Sequence, residues 1–283
     1  MIEVYENSII LTESDAFSPE QTFLCGQCFR FDPCEGGFSG IAGGRFIRVE
    51  TLEGKTVLRT TERDFEDFWK EYFDLGRDYS AVRGLIADDP FLVAAEEYGR
   101  GIRMLRQEPW EALCSFIISQ CNNIPRIKGI VNKLCCLYGR EIDGGFAFPD
   151  AEVIAGLTPE DLAPIRAGYR AEYIVSAARE VASGKLDLEA LKKMPTAEAR
   201  KRLLAVHGVG KKVADCVLLF GLSKTDSFPV DVWIKRVLDN VYPDGFDAGA
   251  YGDLAGIVQQ YLFFYARDHG EMFEEKLRVK SEE

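Results

Sequence analysis

Histidine is nearly absent from this chain of 283 residues. Only His207 and His269 occur, which leaves little room for a mechanism built on histidine acid–base pairs. Positive charge is also in deficit: 34 Lys and Arg stand against 46 Asp and Glu, for a formal net charge of −12. Nucleic-acid affinity rests largely on phosphate neutralisation, so an average field this repulsive argues against a nonspecific DNA coat protein. No apolar run approaches the length that spans a bilayer. The N-terminal residues have no basic segment followed by an apolar one, so no secretory signal is expected and a cytoplasmic location follows by default. No cysteine follows Cys216, which excludes a C-terminal iron–sulfur loop. The eight cysteines lie mostly in apolar surroundings, and Cys25-x-x-Cys28 has no matching second pair, so reduced thiols are expected in place of a metal site.

The composition, 47% hydrophobic and 28% charged, is that of a soluble globular protein. The first sixty or so residues read as short strands (8–12, 28–32, 37–42, 45–50 and 56–61) separated by Gly, Pro or Asp. Alternation in Arg45-Phe-Ile-Arg-Val-Glu50 fits an antiparallel sheet with one covered face. Phe65, Phe68, Trp69, Tyr72 and Phe73 recur at helical spacing and would supply the cover. Beyond about residue 80 the pattern is helical, with helices expected from Pro109 and Asn122 and over 171–182, 196–206, 210–221, 231–242 and 247–268. The expected class is therefore α+β: an N-terminal sheet domain over 1–80 and a helical body over 81–283. There is no internal repeat.

One stretch stands out. Leu204-Ala-Val-His-Gly-Val-Gly-Lys-Lys-Val-Ala-Asp-Cys216 reads as a helix, a glycine-bounded hairpin and a second helix, over about 196–221. Gly208 and Gly210 carry no side chain to keep backbone N–H groups from a DNA phosphate. Residues 200–212 hold Arg200, Lys201, Arg202, Lys211 and Lys212 and no acid, so any DNA contact is local. Lys212 has two readings. As a phosphate-binding lysine it would be ordinary. As a nucleophile it would profit from the helix dipole and from Lys211, both of which disfavour the charged amine. Asp231, in Phe228-Pro-Val-Asp-Val-Trp233, is a natural N-cap, and a capping carboxylate can also steady a developing sugar cation. Cys216 lies four residues from Lys212 and Phe263 four from Gln259, so each pair shares a helix face.

Together these residues resemble the helix–hairpin–helix DNA glycosylase superfamily. More narrowly, the sequence resembles the 8-oxoguanine DNA glycosylase/lyase of the eukaryotic type. The segments Gly26-Gln-Cys-Phe-Arg30, Asn122-Asn-Ile-Pro-Arg-Ile127, Gly168-Tyr-Arg-Ala-Glu-Tyr173, Gly208–Cys216, Pro229-Val-Asp231 and Ala255-Gly-Ile-Val-Gln-Gln-Tyr-Leu-Phe263 occur in the family's order. The resemblance implies a TBP-like sheet domain on a two-lobed helical HhH-GPD body. It implies that Lys212 attacks the sugar C1′ and forms a Schiff base, with Asp231 as the catalytic carboxylate. A flipped base would sit between Cys216 and Phe263, held by Gln259, with the Gly26 carbonyl accepting the N7 hydrogen that 8-oxoguanine has and guanine lacks. Tyr169 would wedge into the duplex, and Arg126 and Arg170 would meet the orphaned cytosine. Asn122, Asn123, His207, Gly208, Gly210 and Lys211 would complete the DNA contacts. The carbonyls of Leu204, Val206 and Val209 would hold a structural monovalent cation. No other cofactor, no iron–sulfur cluster and no obligate protein partner is implied, and a monomer on damaged double-stranded DNA is expected.

Two positions depart from the family. Cys121 stands where a third asparagine is common, and Trp233 where some members have a phosphate-binding histidine. Rival readings are a glycosylase for another lesion and a noncatalytic helix–hairpin–helix DNA-binding module.

Overall fold

The computed structural model describes residues 2–12 and 17–273; most of the acidic C-terminal tail lies outside them. Six strands form one antiparallel sheet: β1 (Ile2–Tyr5), β2 (Ser8–Leu11), β3 (Phe31–Cys34), β4 (Gly37–Ala42), β5 (Arg45–Leu52) and β6 (Lys55–Arg59), in the order β1-β2-β6-β5-β4-β3. The turns at Gly43-Gly44 and Glu53-Gly54 place both central residues at positive φ, as tight two-residue hairpin turns require. Pro33 is tolerated because β3 is an edge strand. Strand β1 at the opposite edge is an addition to the expected strands: it has four residues, of which Ile2, Val4 and Tyr5 are exposed.

The covered face of the sheet is packed with aromatic rings. Phe17, Phe23, Phe31, Phe65, Trp69 and Phe73 are fully buried, and Phe23 stacks on Phe31 with centroids 4.1 Å apart. The covering segment is helical as expected, but its middle, Phe65–Trp69, is a π-helical turn. Across β3 and β4, Phe31 pairs with Gly40, and a Cβ added to Gly40 would lie 2.4 Å from the Phe31 ring. The ring lies against bare backbone there.

The expected strand at 28–32 starts at Phe31 instead, because the residues before it form a turn held from the other side. Gln27, fully buried, donates from Nε2 to the carbonyls of Thr22 at 3.0 Å and Arg103 at 2.8 Å, and its Oε1 accepts from Leu105 N–H at 2.9 Å. Gln107 donates to the Gln27 carbonyl and Gln260 to the Cys25 carbonyl, both at 2.6 Å. Arg30 donates to the Phe146 carbonyl and lies 3.7 Å from Glu111, whose burial pushes its carboxyl up to about 7. The Cys25–Arg30 turn is thus anchored to the helical body and to the segment leading into it, with almost every buried polar group satisfied.

The body is built from the helices Pro109–Ile118, Ile124–Tyr138, Arg170–Ala182, Thr196–Leu204, Lys211–Cys216, Val232–Val241 and Ala255–Asp268, with shorter ones between. A two-residue hairpin, Glu141–Ile142 with Gly145–Phe146, interrupts the helical pattern. The helix expected as one piece over 247–268 is broken: a 3-10 segment, Ala248–Leu254, kinked at Gly252 (φ 50°, ψ −128°), precedes the α-helix that starts at Ala255. No described helix is long and apolar enough to cross a membrane.

Gly40→Ala must push the Phe31 ring out of its seat. It is expected to destabilise the protein by about 1–3 kcal/mol, as overpacking of a tight core does, measured as a lower midpoint in guanidinium or thermal unfolding.

Candidate active site

Lys212 sits in the first turn of the Lys211–Cys216 helix, directly after the hairpin. Gly208 is at φ +80°, and a Cβ there would lie 2.2 Å from the Tyr173 ring, so the turn admits only glycine at that position. Gly210 is the helix N-cap in an extended conformation. The second helix is locked to the first by Arg200, whose Nε donates to the buried Asp215 carboxylate at 2.6 Å. The half-buried Lys212 amine then projects toward the end of the Pro109–Ile118 helix. Its Nζ donates to Ser119 Oγ at 3.1 Å and lies 5.3 Å from the centre of the Phe116 ring.

Asp231 caps the Val232–Val241 helix. Its Oδ1 accepts from Trp233 N–H at 3.0 Å and Ile234 N–H at 2.9 Å. Burial raises its carboxyl above the ordinary range, opposed by the Ile234 N–H, the Lys212 charge and the Trp233 N–H. It is a cap, as expected, and its second carboxylate oxygen takes no part in those cap bonds.

Lys212 and Asp231 line one cavity of about 400 Å³. Gly26, Cys216, Gln259 and Phe263 line it too, as do Asn122 and Asn123. Gly26 is at φ +77°, and a Cβ on it would lie 3.0 Å from the Phe263 ring, so the turn backbone and the ring are in close approach. Burial pushes the Cys216 thiol up to about 11, with the Lys212 charge opposing. Gln259 is buried, and its Oε1 has no hydrogen-bond partner. An orphaned buried acceptor costs roughly 1–3 kcal/mol, so a group that donates to it from the cavity removes a standing penalty. The arrangement offers a largely apolar cavity with a few placed polar groups, as small-molecule sites do.

The outer residues divide. Asn123 caps the Ile124–Tyr138 helix through its Oδ1, which accepts from Arg126 N–H at 3.0 Å, and the Arg126 side chain is exposed. Tyr169 is 53% exposed, edge-on to Tyr173, which in turn meets the His207 ring. Lys211 and His207 are exposed on the hairpin. Arg170, which the resemblance assigns to the orphaned cytosine, is engaged within the protein. It is 5% exposed and donates to the Gln120 and Cys121 carbonyls and to Ala167, because the turn after Ser119 presents outward carbonyls that need donors. Gln120 also donates to the Gly208 carbonyl at 3.0 Å, which ties this turn to the hairpin. Cys121 is exposed at φ +48°, a conformation that asparagine adopts more readily than cysteine. Trp233 lines the cavity with Arg236 over its ring. At the hairpin, Val206 and Val209 are buried and Leu204 is exposed; the Val206 carbonyl accepts from Val209 N–H at 3.0 Å. Among the described residues no group of three or more His, Cys, Asp or Glu is placed to hold a metal ion.

Ser119, Phe116, Gln27 and Gln260 were not singled out from the sequence. Ser and Phe in a helix carry no special pattern. The adjacent Gln259-Gln260 pair in an otherwise apolar helix was the one available signal, since two neighbouring amides cannot both face solvent and core alike.

Comparison with known proteins agrees with this geometry. Residues 8–113 match the 8-oxoguanine DNA glycosylase N-terminal domain, and residues 114–245 match the HhH-GPD superfamily of base excision DNA repair proteins. A relative from Methanothermobacter thermautotrophicus, called a probable N-glycosylase/DNA lyase, is 32% identical over 245 residues, covering 75% of this chain and 77% of the relative. The Clostridium acetobutylicum 8-oxoguanine glycosylase/lyase, solved with double-stranded DNA containing cytosine opposite 8-oxoG, matches with a TM-score of 0.88 at 37% identity, over 95% of this chain and 98% of that one. A DNA-3-methyladenine glycosylase from Bacillus subtilis is 33% identical over a shorter span, 63% of this chain and 61% of its own. The chain belongs to the N-glycosylase/DNA lyase family, within the HhH-GPD superfamily of base excision DNA repair proteins.

Proposed function

We propose that this protein extrudes 8-oxoguanine from duplex DNA, excises it, and nicks the strand. The neutral Lys212 amine forms a bond to C1′ while the C1′–N9 bond breaks and its electron pair leaves with the base. Asp231 steadies the positive charge that develops on the sugar. Loss of a proton from the attacking nitrogen and opening of the sugar ring give an imine. Removal of a C2′ proton then expels the 3′ phosphate by β-elimination. The observation that supports this reading best is the meeting of one amine, one carboxylate and one unpartnered amide oxygen around a single cavity. A noncatalytic hairpin module has no use for such a slot.

In this reading the base lies between Cys216 and Phe263, with Gln259 on its edge and the Gly26 carbonyl accepting the N7 hydrogen. Tyr169 fills the duplex. Arg126, exposed, is the arm available to the cytosine, whereas Arg170 would first have to leave the Gln120 and Cys121 carbonyls. His207, Gly208, Gly210 and Lys211 meet phosphates. The chemistry needs no cofactor, since nucleophile and carboxylate both come from the chain. The hairpin suits a monovalent cation: the donors of Leu204, Val206 and Val209 are neutral carbonyls, and the Val206 carbonyl keeps a second lone pair beyond its bond to Val209. Such an ion would add positive charge beside a phosphate.

Borohydride added during turnover of duplex DNA containing 8-oxoguanine is expected to leave a covalent protein–DNA adduct that Lys212→Gln abolishes. An adduct formed only with other lesions would move the substrate assignment, and binding without adduct or base release would defeat the catalytic one. Asp231→Asn keeps a good capping residue, so unfolding midpoints should stay close to wild type while single-turnover base release falls by about 100-fold or more. Because burial raises the Asp231 carboxyl, protonation silences it earlier as pH falls. The loss of base release in acid should therefore begin above the ordinary aspartate range. Gly26→Ala, which forces the Phe263 ring to move, is expected to reduce 8-oxoguanine excision and erode its preference over guanine. Equal excision of the two bases by wild-type protein would remove the role given to the Gly26 carbonyl.

A further inference from the structure

We propose that Ser119 is a positioning residue for Lys212: its hydroxyl holds the nucleophilic nitrogen away from the Asp231 carboxylate and so keeps the space between them free for the sugar. The inference rests on Lys212 being the nucleophile.

The Ser119 hydroxyl donates its only proton to the Phe116 carbonyl at 2.8 Å. What it presents to Lys212, at 3.1 Å, is therefore lone pairs alone. An acceptor of this kind takes an N–H from the ammonium or from the neutral amine. It cannot donate to the amine's lone pair, which stays available for attack. The Phe116 ring, stacked on Phe220, adds a second attraction from the same element. Asp231 belongs to a different element, the cap of the Val232–Val241 helix, and no ion pair within 4.0 Å joins it to Lys212.

Opposite charges that share an apolar-walled cavity attract strongly, so their separation needs a cause. Every other charged or titratable neighbour is accounted for. Asp215, on the same helix as Lys212, is held by Arg200 at 2.6 Å. The cavity thiols Cys25 and Cys216 are each pushed up to about 11 by burial, and Cys216, within side-chain hydrogen-bond reach of Lys212, offers it only a weak sulfur acceptor. Arg267 donates to the Leu24 carbonyl and to Asp268, and Lys211 is exposed. Among the described residues Asp231 is the only carboxylate that lines the cavity. Without Ser119 the ammonium has one strong acceptor left. Pairing with Asp231 would make the amine more basic and fill the place of the sugar, and both effects oppose attack.

The test is borohydride trapping on DNA with a preformed abasic site, followed against pH under single-turnover conditions. It reads the neutral fraction of Lys212 and does not depend on base release. Ser119→Ala is expected to raise the trapping midpoint by about one pH unit, leaving roughly tenfold less neutral amine on the acid side. Affinity for a tetrahydrofuran abasic analogue should be unchanged. The double variant Ser119→Ala/Asp231→Asn should bring the midpoint back, and Ser119→Thr, which keeps the hydroxyl, should hold it near wild type. Ser119→Cys, with a weak acceptor in nearly the same volume, should shift in the direction of alanine and serves if the alanine variant does not fold. A wild-type midpoint in the alanine or cysteine variant overturns the proposal, as does a shift that persists in the double variant. Absence of any wild-type adduct at Lys212 would instead defeat the reading of Lys212 as nucleophile.

Discussion

A cation and an anion stand in one apolar-walled cavity without neutralising each other, and the rest of the molecule is arranged around that separation. Each charge alone is costly to bury, and each is kept by a different local partner: Lys212 by a serine hydroxyl and an aromatic face, Asp231 by two backbone N–H groups at a helix start. The partners lie on separate helices, so the gap is set by helix packing. The hairpin fixes one side and the Val232–Val241 helix the other. The cavity walls are largely rings and aliphatic carbons, and among the described residues Gln259 Oε1 is the orphaned side-chain acceptor there, facing a penalty that a donor relieves.

The sheet domain contributes through a single turn. Cys25–Phe29 carries Gly26 to the Phe263 ring, and Gln27, Gln107 and Gln260 hold it there through buried amide hydrogen bonds. Amides suit this joint better than ion pairs would. They satisfy both donors and acceptors of irregular backbone without the desolvation cost of charge. Cys25 and Phe29 belong to the hydrophobic core of the helical body, whereas Cys28 and Phe31 belong to that of the sheet. The chain passes between two cores within a few residues, which is why a glycine at positive φ is needed in the middle.

Much of this was legible in the sequence, for physical reasons that differ by residue. The hairpin could be read because only glycine fits at 208, and because a lysine at a helix start is electrostatically unusual. Asp231 could be read because capping chemistry is local. The strands from Gly37 onward could be read because alternation and glycine turns are local too. Ser119 could not, since its importance lies in a partner 93 residues away. The π-helical turn at 65–69 leaves no periodic trace, and the break at Gly252 rests on a positive φ that a helical pattern does not reveal. Arg170 shows the limit from the other side. The family resemblance assigns both Tyr169 and Arg170 to DNA, and the structure adds what sequence does not carry: Arg170 donates to the neighbouring carbonyls of Gln120 and Cys121.

The same carbonyls bear on how an acidic protein grips DNA. With a net charge of −12 the chain cannot rely on its overall field. Its cations must be local, and several of those near the site are already committed to internal acceptors: Arg170 to the Gln120 turn, Arg200 to Asp215, Arg267 to Leu24 and Asp268. Exposed on the hairpin, on the helix before it and beside the Asn123 cap are Lys211, Lys201, Arg202 and Arg126. Gln120 joins the hairpin to the turn that Arg170 holds, so the backbone surface offered to phosphate is stiff. A rigid surface loses little entropy on binding, which offsets a modest Coulomb term. The acidic excess elsewhere weakens attachment to undamaged duplex. Affinity then has to come from local contacts and not from the overall field.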